Sequence, residues 1–463
     1  MSEPPSKFHV AICGGGVGGL TLAFALSKSP NIRVDVYEAA SKFSEIGAGI
    51  GVWWRTRQVL KSLGLEEDVI RLLSFRPGQD RVPTIQYRKA DQLQGRAMGP
   101  MYSRGGVMGL HRAEFHEALL NRLSSRCRTF TSKRLKSYHQ RPGTAILLRF
   151  HDGSTATCDI LIGADGLKSV VRKKMFHEAA LWAESQRRNA DAAELRSLSE
   201  LRFSGALSYR TLIPAARLSS VSPQHRVFSS AVQYLGKNMH VMAYPVSRGR
   251  FINFVVFEIR PHEEGTQFSG PWVADVDPSY IVSLFHGWER EVRELIQCLG
   301  GLKITRWAVN ILPALPFFAF GNVAIMGDAV SILPLSEAYP TSDHELTQAH
   351  AMAPFQGAGA GQAIEDASML ASLLSHELTT GTTAAHVLGI YSRVRQPLSA
   401  EVARRSRLNG DYFALRGLGP DVDGARLQGI LKQIQDNFEW VSETEASSDL
   451  ERAIELLQAE LAA

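Results

Sequence analysis

The strongest constraint on the fold lies at the start of the chain. Phe8 to Cys13 (FHVAIC) is a short apolar strand, and Gly14-Gly15-Gly16-Val17-Gly18-Gly19 follows it directly. Leu20, Leu22, Ala23 and Leu26 then supply a helical apolar pattern. Pro30 closes that helix, and Arg33 to Tyr37 (RVDVY) reads as a second strand ending in Glu38. Gly14, Gly16 and Gly19 have the GxGxxG spacing that gives a tight turn and lets backbone approach a pyrophosphate at a helix N-terminus. Glu38 would accept from the ribose hydroxyls of an adenosine. The unit calls for a Rossmann-type parallel sheet and a dinucleotide, and leaves NAD and FAD both open.

Composition narrows the class. A chain of 463 residues accommodates two or three domains with large cores. Its 44% apolar and 21% charged content is ordinary for a globular protein. The net charge of +5 is spread thinly with no basic run, so no nucleic-acid partner is expected and small anions suit it better. Cys13, Cys127, Cys158 and Cys298 are isolated, which predicts neither disulfides nor a metal site, and a reducing, cytoplasmic location. The polar start MSEPPSK runs straight into a strand, so a cleaved signal peptide is not expected. The most apolar window, Ile311 to Met326, is broken by Pro313, Pro316 and Asn322, so no transmembrane segment is expected.

Further along, Ile46-Gly47-Ala48-Gly49-Ile50-Gly51 is dense enough in glycine to let backbone pass close to a flat ring. Arg112 opens a helix (RAEFHEALL), where a cation opposes the dipole unless an anion such as phosphate meets it. A hairpin about His151-Asp152-Gly153 precedes Asp159 to Ile162, which enters GADGLKSVVR. There Asp165 can accept from hydroxyls and Arg172 can meet phosphate. A connecting helix over 178–196 leads to strand-like alternation over 202–260, read as an antiparallel second domain. Asp277 as cap and Pro278 as first residue start a helix reaching Cys298. Val323 to Met326 then ends in Gly327-Asp328, and Gly357, Gly359 and Gly361 precede a helix with Ala363, Ile364, Ala367 and Leu370 inside. Val387 to Tyr412 is helical, and the amphipathic Ser447 to Leu461 suits packing or a homodimer contact.

In this order GGGVGGL with Glu38, EIGAGIGVW, GADGLKSVVR and GDA…HAMAPFQGAGAGQAIEDA resemble the single-component FAD-dependent aromatic hydroxylases, the class A flavoprotein monooxygenases. The likeness is greatest to fungal salicylate-hydroxylase-like members, and it runs from Val10 to about Tyr412. It implies a mixed α/β fold: a Rossmann-type FAD-binding domain over 1–195 and 316–420, a smaller antiparallel substrate domain over 196–315, and a helical tail over 421–463. By resemblance Gly14, Gly16, Gly19 and Glu38 hold the ADP half of FAD, and Gly51 and Arg112 contact the flavin. Asp165 belongs to a motif tied to FAD and pyridine nucleotide. Asp328 should meet the pyrophosphate–ribityl region, and Pro354, Gly357, Gly359 and Ala360 should border the isoalloxazine. Arg210 and Tyr244 match active-site positions, where Arg could bind a substrate carboxylate and Tyr a phenol. From residue type alone a surface ion pair and a core tyrosine serve equally well. The implied chemistry uses NAD(P)H, O2 and a flavin C4a-hydroperoxide to hydroxylate a small aromatic substrate, with loss of CO2 when the carboxylated carbon is attacked. With no second GxGxxG, NAD(P)H would dock only transiently.

Two departures stand out. Trp54-Arg55 replaces the smaller or turn-forming residues usual there. Residues 330–348 (VSILPLSEAYPTSDHELTQ) interrupt the motif, and removing them joins Gly327-Asp328-Ala329 to Ala349-His350. The segment reads either as a genuine loop or as an intron translated in frame, since Val codons begin GT and Gln348 can end in AG. Alternatives in function are a monooxygenase of fungal secondary metabolism acting on a polyketide or terpenoid, and a non-catalytic form impaired by the insert.

Overall fold

The computed structural model describes residues 6–43, 49–73, 75–141, 143–330, 354–419 and 422–461. Ile46 to Ala48, and the 330–348 insert beyond Val330, lie outside the described residues. The chain is mixed α/β and carries two large sheets. The first is six-stranded and runs Ala319–Phe320, Val323–Ile325, Ile160–Gly163, Phe8–Cys13, Ile32–Tyr37, Cys127–Phe130. All neighbours are parallel except the edge strand Ala319–Phe320. Its strands are apolar on both faces because helices cover both, the usual cause of continuous Val/Ile runs. Val10, Ile12, Val34, Val36, Leu161 and Ile162 are all buried in one core.

The second sheet is eight-stranded, in the order Val273–Val276, Ile304–Ile311, Arg202–Pro214, Phe251–Ile259, Met239–Val246, Ala231–Gly236, Arg81–Lys89, Arg96–Arg104. It is antiparallel apart from the pairing of Ala231–Gly236 with Arg81–Lys89. The last two strands therefore come from a separate, earlier part of the chain. Their alternation is blurred by register shifts at Pro83/Ile85 and Tyr87/Arg88. Leu207, Tyr209, Ile213, Phe254 and Val256 on its outer face form a core with Ile281, Trp288 and Leu295. Asp277 accepts from Ser279 N–H at 2.8 Å and caps Pro278–Leu284, the first of two helices where one was expected.

After the second sheet the chain returns at Val323–Ile325, beside Ile160–Gly163. Helices Gly359–Ser375, Ala384–Phe413, Gly424–Glu443 and Ser447–Leu461 complete the fold. Ala453 and Leu457 of the last helix sit in the core of the first sheet, which fits packing within the chain. Among the described residues no helix is long and apolar enough to cross a membrane.

Candidate active site

The glycine turn after Phe8–Cys13 packs against the turn after Ile160–Gly163, and Gly14 and Gly19 leave no room for a side chain at the contact. Gly14 has φ +114°, and a Cβ there would stand 2.1 Å from Ala164 O. A Cβ on Gly19 would stand 2.0 Å from Gly14 O. The buried His116 ring holds the turn from below, Nε2 lying 2.7 Å from Gly15 O. Glu38 accepts from Gly15 N–H at 2.8 Å and from Ala40 N–H at 2.7 Å, so its carboxylate lies across the turn. Asp165 accepts from the Ser169 hydroxyl, Val170 N–H and Val171 N–H. Burial pushes its pKa up while those bonds oppose the rise.

The expectation that Arg172 meets phosphate is not met. Its side chain is fully buried and donates to Ala329 O at 2.9 Å and Leu167 O at 2.7 Å. Burial pulls its pKa down to about 10. The guanidinium faces inward because two carbonyls at a helix entry need a donor that water cannot supply. It ties the Asp165 turn to the Gly327–Val330 turn.

On the eight-stranded sheet, alternation sends every second residue to the inner face. Ser208 and Arg210, His240, Met242 and Tyr244, and Asn253, Val255 and Phe257 line one cavity there. Arg210 lies opposite Val255, Val255 opposite Met242, and Asn253 opposite Tyr244. Arg210 is half-buried, donates to Ser208 Oγ at 3.3 Å, and has no carboxylate partner among the described residues. Burial lowers its pKa, the Tyr244 phenol opposes the fall and the like charge of Arg112 adds to it. Burial likewise raises the pKa of Tyr244, against the pull of Arg210. His240 is held by Gln233 at 2.8 Å and stacks on Phe257 at 4.7 Å, with Phe355 and Phe413 edge-on. Burial takes it down to about 3, so it is a neutral wall of the cavity.

The two surfaces enclose one cavity of about 1080 Å³. Gly14, Gly16, Gly19, Glu38, Gly51, Arg112, Asp165, Asp328, Pro354, Gly357, Gly359, Ala360, Arg210 and Tyr244 all line it. These fourteen residues are thus brought to the same space, and Arg172 is not among them. FAD fits these residues. The turn at Gly14 and Gly19 leaves no room for a Cβ and exposes bare backbone to a pyrophosphate. The Gly359–Ser375 helix presents Gly359, Ala360 and Ala363 at its N-terminal end, where its dipole favours an anion. The volume exceeds that of a pocket for one drug-sized ligand, roughly 300–1,000 Å³.

A family model described as an FAD binding domain matches residues 7–231. The chain is 37% identical over 465 residues to the FAD-dependent monooxygenase str9 of Strobilurus tenacellus, covering 98% of this chain and 99% of that one. It belongs to the FAD-dependent aromatic monooxygenases. It is also 30% identical over 459 residues to a salicylate hydroxylase of Pseudomonas putida, covering 98% of this chain and 95% of the relative. A solved salicylate hydroxylase substrate complex superposes with a TM-score of 0.77 at 26% identity, covering 98% of each chain.

Several buried supports of the cavity carry little sequence signal. Arg395 is fully buried and donates to Asp366 at 2.7 Å and Glu365 at 3.1 Å, and Asp366 accepts from Gly327 N–H at 2.9 Å. The turn bearing Asp328 is therefore fixed from behind by ions on two helices. The aromatic walls Phe355 and Phe413 reach the sheet from distant segments, so only the fold unites them with His240. The signal available was the EDAS run after GAGAGQ, where two carboxylates fall on a buried helix and require a partner.

Proposed function

We propose that this monooxygenase hydroxylates a small phenolic ring, carboxylated as in salicylate, with NAD(P)H and O2 as co-substrates. The observation that carries the reading is Arg210, a cation with no carboxylate of its own among the described residues, set with Tyr244 on a cavity wall of Trp307, Phe257, Phe355 and Phe413. When bound, FAD supplies electron transfer from NAD(P)H and activation of O2. Arg210 binds the substrate carboxylate as a bidentate pair. Tyr244, kept protonated by burial, donates to the phenolic oxygen, and the Arg210 charge favours the ring oxyanion. The aromatic walls hold the ring flat and exclude water. One oxygen atom enters the ring and the other leaves as water, the electron pair coming from NAD(P)H. When the carboxylated carbon takes the oxygen, CO2 leaves it.

The test is NAD(P)H oxidation by FAD-saturated protein with and without salicylate, with the product identified by chromatography. Faster oxidation with conversion of the ring supports the reading. Salicylate and its ring-substituted relatives leaving the rate unchanged, in the chain with and without residues 330–348, would refute it.

A second reading, a larger metabolite with an apolar extension, is favoured by the cavity rim. Phe75 is 52% exposed and Val82 38% exposed there, beside Leu72 and Leu73. Salicylates with lengthening alkyl chains separate the two, since a KM falling with chain length selects the larger substrate. Residues 330–348 bear on whether this form is active. We infer an intron translated in frame, because excising the segment restores an unbroken GDA-AHAM motif. Sequencing the mature transcript decides this, and consistent retention of these codons would contradict it.

A further inference from the structure

The C-terminal helices lie outside every motif described above, and they reach the cofactor-facing loops by two routes. The first passes through Arg55, in the Trp54-Arg55 pair that departs from the family pattern. Arg55 is 2% exposed. It donates to Glu445 O at 2.6 Å, to Thr444 Oγ1 at 3.1 Å, to Asp449, and to Glu365 at 3.1 Å. Its guanidinium stacks 4.3 Å from the Trp440 ring. Glu365 in turn accepts from Arg395, Arg395 binds Asp366, and Asp366 holds Gly327 N–H. A continuous run of buried charge thus joins residues 444–449 to the turn that carries Asp328.

The second route meets residues 354–356. The Gln356 side-chain amide donates to Asn437 O at 3.0 Å, and the Trp53 indole N–H donates to Gln356 O at 2.9 Å. Phe438, 1% exposed, packs 5.0 Å from the Trp53 ring, and both rings line the cavity. Gly424–Glu443 therefore supplies wall as well as anchorage.

We propose that residues 424–449 form a positioning element for the bound flavin, acting on Gly327–Asp328 through Arg55 and on Pro354–Gln356 through Asn437 and Phe438. Burying so many charges is costly, and a hydrophobic core of the same volume would be at least as stable. What the ions add is a single geometry: directional bonds fix where the Gly327 amide and the Gln356 carbonyl sit. The inference goes beyond the substrate reading and depends only on FAD binding.

The test compares Arg55→Gln and Phe438→Leu with Leu295→Ala, a substitution in the outer core of the second sheet away from the cavity. FAD dissociation constants come from flavin fluorescence titration, and visible-region circular dichroism is taken at saturating FAD. Both positioning variants are expected to raise the FAD Kd about tenfold, Arg55→Gln by the loss of about one charged hydrogen bond and Phe438→Leu by the loss of the ring packed on Trp53, and to alter the flavin dichroism at saturation. Leu295→Ala is expected to lower the melting temperature with neither effect. If Arg55→Gln does not fold, Phe438→Leu still decides, since it removes only a ring. Wild-type Kd and dichroism in the folded variants, or changes no larger than those of Leu295→Ala, would overturn the proposal.

Discussion

On the proposed function, the glycine wall and the sheet wall of the cavity recognise their ligands by different means. At Gly14, Gly19 and the Gly359 helix entry the recognising groups are backbone, and at Gly14 and Gly19 a side chain is excluded by contacts near 2 Å. At Arg210, Tyr244 and His240 the recognising groups are side chains on a sheet whose backbone is already paired. A backbone wall serves any ligand with the same diphosphate and rejects nearly all mutation. A side-chain wall can be revised one residue at a time without disturbing its scaffold. That division lets one fold keep its cofactor while its substrate changes.

The sharpest way to break the comparison is at Gly19. Gly19→Val puts a branched side chain against Gly14 O. Overpacking of this kind costs about 1–3 kcal/mol or more, so FAD affinity should fall about a hundredfold, read by fluorescence titration. Retained affinity would show that the wall can yield. Next is Arg395→Met, which takes the Arg395 cation from the buried Asp366 and leaves Glu365 to Arg55. Burial already raises the Asp366 pKa and Arg395 is its main opposition. Removing one partner of a buried pair costs about 3–5 kcal/mol, measured as a lower urea midpoint.

On the sheet wall Arg210→Ala should raise KM for carboxylated rings about ten- to a hundredfold, the worth of about 1.5–3 kcal/mol for a charged hydrogen bond. FAD affinity should not move, and a parallel loss would merge the two walls into one.

The smallest effect on either ligand should come from Asp35→Asn. Burial works against the Asp35 carboxylate, but His9 at 3.0 Å and Arg128 at 2.7 Å outweigh it and leave its pKa below the ordinary range. A depressed folded value stabilises fully above the unfolded pKa of about 3.9 and loses that stabilisation as pH falls through the folded value. Asp35→Asn should therefore flatten the acid limb of stability below about pH 4 and leave both ligands bound as before.

The same division explains what could be read from the sequence. Gly14, Gly16, Gly19 and Glu38 were legible because backbone recognition needs fixed residue types at fixed spacing. Arg210 and Tyr244 could be named through resemblance, but no spacing rule distinguishes a cavity arginine from a surface one. Arg172 misled because its motif gives a residue type without a direction. The Arg81–Lys89 and Arg96–Arg104 strands stayed hidden behind Pro83, Gly99 and the register shifts that blur their alternation. Arg395, Phe413 and Phe438 lie on helices whose apolar pattern says only that one face is buried. What they touch is decided by tertiary packing.

The most direct test of the shared cavity is a titration of FAD-reconstituted enzyme with salicylate, followed in the flavin visible spectrum with binding measured in parallel by calorimetry. One cavity with two walls predicts a saturable change in flavin absorbance that tracks calorimetric binding and weakens in Arg210→Ala while FAD stays bound. Calorimetric binding of salicylate with the flavin spectrum unmoved would put the ligands in separate cavities and contradict the account.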